Sequence, residues 1–530
     1  MKLKKTLPVL LLVVLLGVAA CTSSKSAGGT KSGGSSAKAG AKSSPVTVRL
    51  SGDWTNLNPY DTAGNIGTDI IASGVFDRLV ALGPDGKTVV PYLATKWTES
   101  ATDLTFTIRD GVKCSDGSAL DAAAAATSLK FMITQPESKL LLGNGPYTVT
   151  NDASSVSIKL GSAYSDALYK LTDLHASIVC PAEIPLLKAK NSTTAIGSGP
   201  YTITQAVHND HITLAPNKNW TWGPNGESAQ KPGFPSKVTL QVITDESTAA
   251  NELLSGQVDV APISGPDVAR LIGDKSLSHS TFGGQYLSPL VFNPTNDVLK
   301  DLAVRQAISQ AIDTKSFMQA DTGGYGVTSP SFFAPDATCY DPKVASLVPP
   351  TDVGAAQKLM ESAGYTLSGG KMEKDGKQVT LNLLTTTAYF GSASAEYLVE
   401  ALGKLGIALK VTSLDASGYS GALVKGNFDL LLGLLSGGGP APGDYILYMT
   451  GPNFTAGGAN TAYDDPEVDT LVKAAFAATG DQQCPAWAAV QQKVIANRDV
   501  LPMDQQIKQF FTRDVAMQTL TMVHLDTLTR

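Results

Sequence analysis

The sequence predicts an α/β protein built from more than one lobe. Three observations carry that expectation. The chain is 530 residues long and 43% hydrophobic, more than one hydrophobic core organises. β-rich runs alternate with runs of helical period along most of it. The apolar run Phe428 to Leu435 has no polar face, as a buried parallel strand should read.

The elements follow in order. Thr88 to Ile108 and Ser155 to Leu160 alternate like antiparallel strands with polar turns between them. Tyr201-Thr202-Ile203 and Ile212-Thr213-Leu214 flank Asn209-Asp210, a hairpin turn. Lys237 to Ile243 is a strand, Ser247 to Leu254 a helix closed by Gly256, and Val258 to Ile263 a strand, together a βαβ unit. Asp301 to Ile312 puts Val304, Ala307, Ile308, Ala311 and Ile312 on one helical face. Asp352 to Ala363 is a second helix, capped by Thr351 or Asp352 and ended by Gly364. Val379 to Leu384 is a strand, Ala393 to Leu405 a helix stopped by Gly406, and Ile407 to Val411 a strand. No repeat of solenoid length is present.

The first residues set the compartment. Lys2, Lys4 and Lys5 precede an apolar stretch, Leu7 to Val18, then Ala19, Ala20 and Cys21. This is a secretory leader, too short and wrongly flanked to span a membrane. Val18-Ala19-Ala20-Cys21 resembles a bacterial lipobox, where the cysteine thiol takes a diacylglycerol and the chain is cut before it. Residues 1–21 are thus read as leader and lipidated Cys21. Residues 22–44, almost wholly Ser, Gly, Ala, Lys and Thr, are a flexible tether. The expected location is the outer face of the cytoplasmic membrane, in the periplasm where an outer membrane exists. The net charge of −6 argues against nucleic-acid binding. Besides Cys21 there are four cysteines, Cys114, Cys180, Cys339 and Cys484. In an oxidising compartment they favour two disulfides, with three pairings open. None has zinc-type spacing, and no metal or cofactor is expected.

The order of motifs resembles the extracytoplasmic solute-binding proteins of peptide, nickel and oligosaccharide ABC importers. Asn56-Leu57-Asn58-Pro59 matches the family's "x-L-N-P" loop, and Phe76-Asp77-Arg78-Leu79-Val80 its "Y-E-G-L-V" strand. Pro91-Tyr92-Leu93-Ala94 with Trp97 matches "P-x-L-A-x-x-W". Phe106 to Lys113 with Asp116-Gly117 matches "F-x-L-R-x-G-V-K-F-x-D-G", with Cys114 in place of an aromatic residue. Gly197-Ser198-Gly199-Pro200-Tyr201 matches "G-T-G-P-Y". Phe292-Asn293 and Val304-Arg305-Gln306-Ala307-Ile308 to Ile312-Asp313 match "F-N…V-R-x-A-I…A-I-D". Each is weak alone; in this order they are specific.

The resemblance implies a two-lobed periplasmic-binding-protein-like α/β fold with a hinge. Lobe I would run over 45–284, including an extra subdomain at 81–195, lobe II over 285–499, and 500–530 would return to lobe I. The chain would cross near Tyr286 and again near Leu501-Pro502. Pairs kept inside one lobe leave the hinge free, which implies Cys114–Cys180 and Cys339–Cys484. The implied function is that of a receptor, not an enzyme. It binds a small solute between the lobes, as a monomer, and delivers it to ABC permease subunits.

Two loops bear on the ligand. In dipeptide binders the segment after the buried strand reads like "W-T-G-D-N-G-D-P", and an acidic residue there holds the peptide amino terminus. Here the stretch is Leu435 to Pro442, with Gly438 at the acidic position and Ala441 at the second Asp. The arginine that pairs the peptide carboxylate falls near Thr385-Thr386-Thr387. A buried ammonium or carboxylate without a partner is costly. Neutral oligosaccharide-like or modified peptide ligands are therefore favoured over ordinary dipeptides. The candidate contacts are Trp54, Asn65, Tyr286, Thr386, Tyr389, Phe390, Ser436, Gly438 and Tyr445, with Asp504 and Asp444 as alternative charged anchors.

Other features read as structural. His208-Asn209-Asp210-His211 lies across the hairpin turn, and Trp220 and Trp222 are packing residues. There is no H-E-x-x-H, Walker loop or G-x-S-x-G. A lipoprotein hydrolase would need a nucleophile beside one of only five histidines. A signalling or adhesion lipoprotein without a transporter is the other alternative.

Overall fold

The computed structural model describes residues 43–530 apart from 55, 61–65, 137, 190–193, 284–285, 388–389, 434, 437–440, 447–448, 451–464 and 521. Cys21, the leader and nearly all of the tether lie outside the described residues. Among these residues no helix is long and apolar enough to cross a membrane.

Two seven-stranded sheets organise the two lobes. In lobe I the central strand Pro45–Leu50 pairs in parallel with Lys237–Val242 on one side and, at Val48, with Val260–Ile263 on the other. The expected βαβ unit is present, but the first strand of the domain is inserted between its two strands. The connecting helix Glu246–Ser255 starts at Asp245, whose side chain accepts from Thr248 N, and stops at Gly256 with φ of 77°. That left-handed backbone favours glycine. The hairpin Tyr201–Val207 and His211–Pro216 extends the same sheet. A four-stranded antiparallel sheet, from Ala94–Glu99 to Ser155–Lys159, forms a separate layer.

The sheet of lobe II is built on Tyr286–Phe292, flanked by Val500–Gln505 and Leu430–Leu432. Leu430 and Leu432 sit in one hydrophobic core and Leu431 in another, so this strand is buried on both faces. Phe428 to Leu435 is not one continuous strand, however. It is divided into Leu430–Leu432 and Leu435–Ser436, with Gly433 outside both. Helices Leu302–Ala311 and Val353–Ser362 begin at Asp301 and Asp352, whose carboxylates accept from the first turn.

The lobes are joined twice. Ser278–Phe282 belongs to the lobe I sheet and Tyr286–Phe292 to the lobe II sheet. The return differs from the expected Leu501-Pro502. Val500–Gln505 pairs with Tyr286–Phe292 and its Leu501 and Met503 lie in a lobe II core, whereas Lys508–Thr512 belongs to the lobe I sheet. Residues 500–505 are therefore part of lobe II, and the chain returns at Gln506-Ile507. There Gln506 N donates to Tyr286 O at 2.8 Å, so the return lies beside the first residue of Tyr286–Phe292. Disulfides join Cys114 to Cys180 and Cys339 to Cys484.

Candidate functional site

A cavity of about 180 Å³ opens beside the outward crossing. Six separate segments line it, Pro224 being one of them. Helix Ile66–Val75 brings Asp69, strand Asp77–Arg78 brings Arg78, and the stretch after helix Ala167–Lys170 brings Thr172 to His175. Phe282 and Tyr286 stand on either side of the crossing, and the C-terminal tail contributes Leu520, Met522, His524 and Asp526. Its lining mixes charged and polar side chains with an apolar part made by Leu82, Phe282, Leu520 and Met522, and fixed polar groups of this kind orient a small molecule.

Its charges are held in place. Asp173 caps the short helix Leu174–Ala176 by accepting from His175 N at 2.9 Å. The same carboxylate lies 2.7 Å from His175 Nδ1, and Asp69 lies 3.4 Å from Nε2. Burial opposes charge on this imidazole, but Asp173 and Asp69 outweigh it and raise its pKa to about 10. His175 is thus a cation at neutral pH. Burial also opposes charge on Asp173, yet His175 and Lys170 hold its carboxyl well below the usual range. Arg78, about 2% exposed, pairs through Nη2 with Asp526 at 3.6 Å and lies over the Tyr92 ring. Its Nε and Nη1 have no hydrogen-bond partner among the described residues. Lys508 Nζ sits 4.1 Å from the Tyr286 ring centre, a cation–π contact at the crossing. Among the described residues no group of three or more His, Cys, Asp or Glu is placed to hold a metal ion.

The sequence candidates are distributed unevenly. Tyr286 lines the cavity. Ser436 is its strand partner, so the backbone after the buried strand is brought beside it. Asp504 is fully buried opposite Ser288 on the crossing strand, and burial and the neighbouring Asp321 raise its pKa. Thr386 is 1% exposed at the end of Thr380–Thr386. Trp54 is a core residue stacked on His208 at 4.6 Å. Phe390 and Tyr445 likewise belong to lobe II cores, Tyr445 against Phe333 at 5.1 Å. These rings fill the interior because large apolar surfaces gain more there than at a wet wall. Asn65, Tyr389 and Gly438 lie outside the described residues. Asp444 faces lobe I and is paired with Lys170. His208 lies 2.9 Å from Asp53, and His211 3.1 Å from Asp210.

The sequence reading missed Arg78, Asp69, Asp173 and His175. Only Arg78 carried a signal, since it stands where the "Y-E-G-L-V" motif has glycine.

Comparison with known proteins agrees with this architecture. A substrate binding protein from Microbacterium hydrocarbonoxydans, complexed with 4-hydroxybenzoate hydrazide, superposes with a TM-score of 0.72 at 26% identity, covering 92% of this chain and 100% of that one. NikA from Brucella suis, in complex with Fe(III)-EDTA, has a TM-score of 0.79 at 22% identity, covering 92% and 99%. In sequence, the nickel-binding periplasmic protein of Escherichia coli (strain K12) is 26% identical over 416 residues, 72% of this chain and 74% of that protein. The glutathione-binding protein GsiB of Salmonella paratyphi A is 26% identical over 396 residues, 72% and 71%. The description "Bacterial extracellular solute-binding proteins, family 5 Middle" matches residues 88–457. With more than half its length inside that match, the chain belongs to the bacterial extracellular solute-binding proteins of family 5.

Proposed function

We propose that this solute-binding protein is the receptor of an ABC importer for a small dipolar organic solute of peptide, amide or hydrazide type. It captures the solute between its lobes and passes it to the permease. One observation carries the choice of ligand: the cavity beside the crossing, formed by lobe I and bordered by Tyr286 of lobe II, combines fixed charges of both signs with an apolar part. A solute with one strongly polar end and one apolar part matches that pairing, whereas a neutral oligosaccharide leaves the charges with little to bind. The aromatic hydrazide held by the Microbacterium relative is such a molecule. No step of this reading needs bond making or breaking, and the protein acts as a binder rather than an enzyme, as a monomer anchored through Cys21.

Mass spectrometry of solute released from the purified protein tests the reading, followed by calorimetry with amide-bearing and oligosaccharide panels. Release of a small amide or peptide and its rebinding with 1:1 stoichiometry is expected. An oligosaccharide that binds while amides do not overturns it. For the anchor, Cys21→Ala should abolish incorporation of radiolabelled lipid.

A further inference from the structure

The cavity leaves one charged contact between the lobes unexplained. Lys170 closes helix Ala167–Lys170 in lobe I, and Asp444 stands in Pro442–Ile446 of lobe II. Lys170 Nζ lies 2.5 Å from Asp444 Oδ1, with both side chains less than a tenth exposed. The neighbouring contacts are also between protein groups. Gly443 N donates to Asp166 Oδ2 at 2.6 Å, Ser165 N to Phe476 O at 3.0 Å, and the Tyr164 ring packs 4.8 Å from that of Phe476. The approach is close enough that a Cβ at Gly443 would lie 2.8 Å from Asp166 Oδ2.

Burying Asp444 as the lobes close removes a carboxylate from water. That is strongly unfavourable unless a cation meets it. In a cleft between lobes the cation has two possible sources, the solute or the protein. Burial opposes the charge of Lys170, but Asp444, Asp173 and Asp166 together outweigh it and keep the ammonium charged. We propose that Lys170 is a specificity-determining residue, an internal surrogate for a ligand ammonium that neutralises Asp444 on closure. Lobe II then presents no carboxylate there for a cationic group of the solute, and closure proceeds without one. This rests on the solute being held between the lobes.

Chemical rescue tests it without any knowledge of the natural solute. Lobe separation is followed by small-angle scattering on the purified full chain without ligand. Wild type should be compact and indifferent to n-propylammonium. Lys170→Ala should be expanded, and should compact with n-propylammonium but not with equal sodium chloride or propan-1-ol. If Lys170→Ala does not fold, Lys170→Gln, which keeps much of the stem, serves in the same arms. A folded variant as compact as wild type, or one that n-propylammonium leaves expanded, overturns the proposal. A second arm compares Ala-Phe with N-acetyl-Ala-Phe. The preference for the free amine should rise about tenfold in the variant, and an unchanged ratio between two measurable affinities counts against the proposal. If neither peptide binds any form of the protein, the proposed ligand class fails, while the rescue arm still decides the role of Lys170.

Discussion

Replacing Asp504 with Asn should flatten the pH dependence of stability, and the size of the change follows from the crossing. Asp504 is fully buried, strand-paired with Ser288 and beside Asp321. Asp321 already accepts from Ser394 Oγ at 2.6 Å and from Gln506 Nε2 at 3.0 Å. Burial and the second carboxylate both favour a proton on Asp504. A carboxyl whose folded pKa is raised contributes stability that is complete below its unfolded value, near 4. That stability is lost as pH rises through the folded value. In the window between, the native state holds one proton more than the unfolded chain. Stability then falls by roughly 1.4 kcal/mol per pH unit, or about 2.7 kcal/mol from pH 5 to 7. Asp166, Glu183 and Asp499, each pushed up to about 7 chiefly by burial, act with the same sign. The wild-type slope is therefore steeper than one group gives, and the difference between wild type and Asp504→Asn isolates the pair. Urea melts of both proteins at pH 5, 6 and 7 measure that difference. Parallel lines would show that Asp321 and Asp504 are both ionised in the native state, and the reasoning from burial would fail.

Three further outcomes are expected. Gly197→Ala should prevent folding or lower stability by roughly 3–5 kcal/mol, because a Cβ there would lie 1.9 Å from Val75 O; soluble yield and melting temperature report it. Serine variants removing Cys114–Cys180 or Cys339–Cys484, separated by 66 and 145 residues, should each lower the unfolding free energy by roughly 4–5 kcal/mol on the chain-entropy account, read from urea midpoints. Tyr286→Ala should weaken binding of the co-purified solute by roughly 1–3 kcal/mol in calorimetry while the melting temperature stays within a few degrees, whereas His175→Gln should weaken binding and also lower the melting temperature, because Asp69 and Asp173 lose their cation.

What the sequence made legible was local. The cap at Asp352 and the stops at Gly256 and Gly406 are signals read within a few residues, and each marks a real helix end, whereas the caps at Asp245 and Asp301 emerge only in the structure. The motifs were legible as an order, but not in their reasons. Asp77 of the "F-D-R-L-V" stretch accepts hydrogen bonds from Ser198 of "G-S-G-P-Y" and from the indoles of Trp220 and Trp222. Two motifs and the Trp220 and Trp222 indoles thus meet at one buried carboxylate, a meeting that sequence separation hides. The break of Phe428 to Leu435 around Gly433 was readable from the glycine alone. The cavity was not readable, because its charges come from positions as far apart as Asp69, His175 and Asp526. Aromatic candidates such as Trp54 and Tyr445 are core residues because the property that suits a ring to stacking on a solute suits it equally to packing.

The stretch from Tyr164 to His175 joins the contact between the lobes to the lining of the cavity. At one end Asp166 and Lys170 hold Gly443 and Asp444 of lobe II, and at the other Asp173 and His175 face the cavity. Between them the backbone is helical or capped, from Ala167–Lys170 to the turn that Asp173 closes on His175. Such a stretch has little freedom to absorb movement at one end without passing it to the other. If the solute is held at His175 as proposed, fixing that side chain would also favour the position in which Lys170 meets Asp444. Driving a two-state equilibrium from 1:99 to 99:1 takes about 5.5 kcal/mol of differential affinity. Contacts supplied by the protein across the lobes reduce the share that the solute must provide. On the proposed reading, a receptor built this way would close on a small solute with few groups to offer.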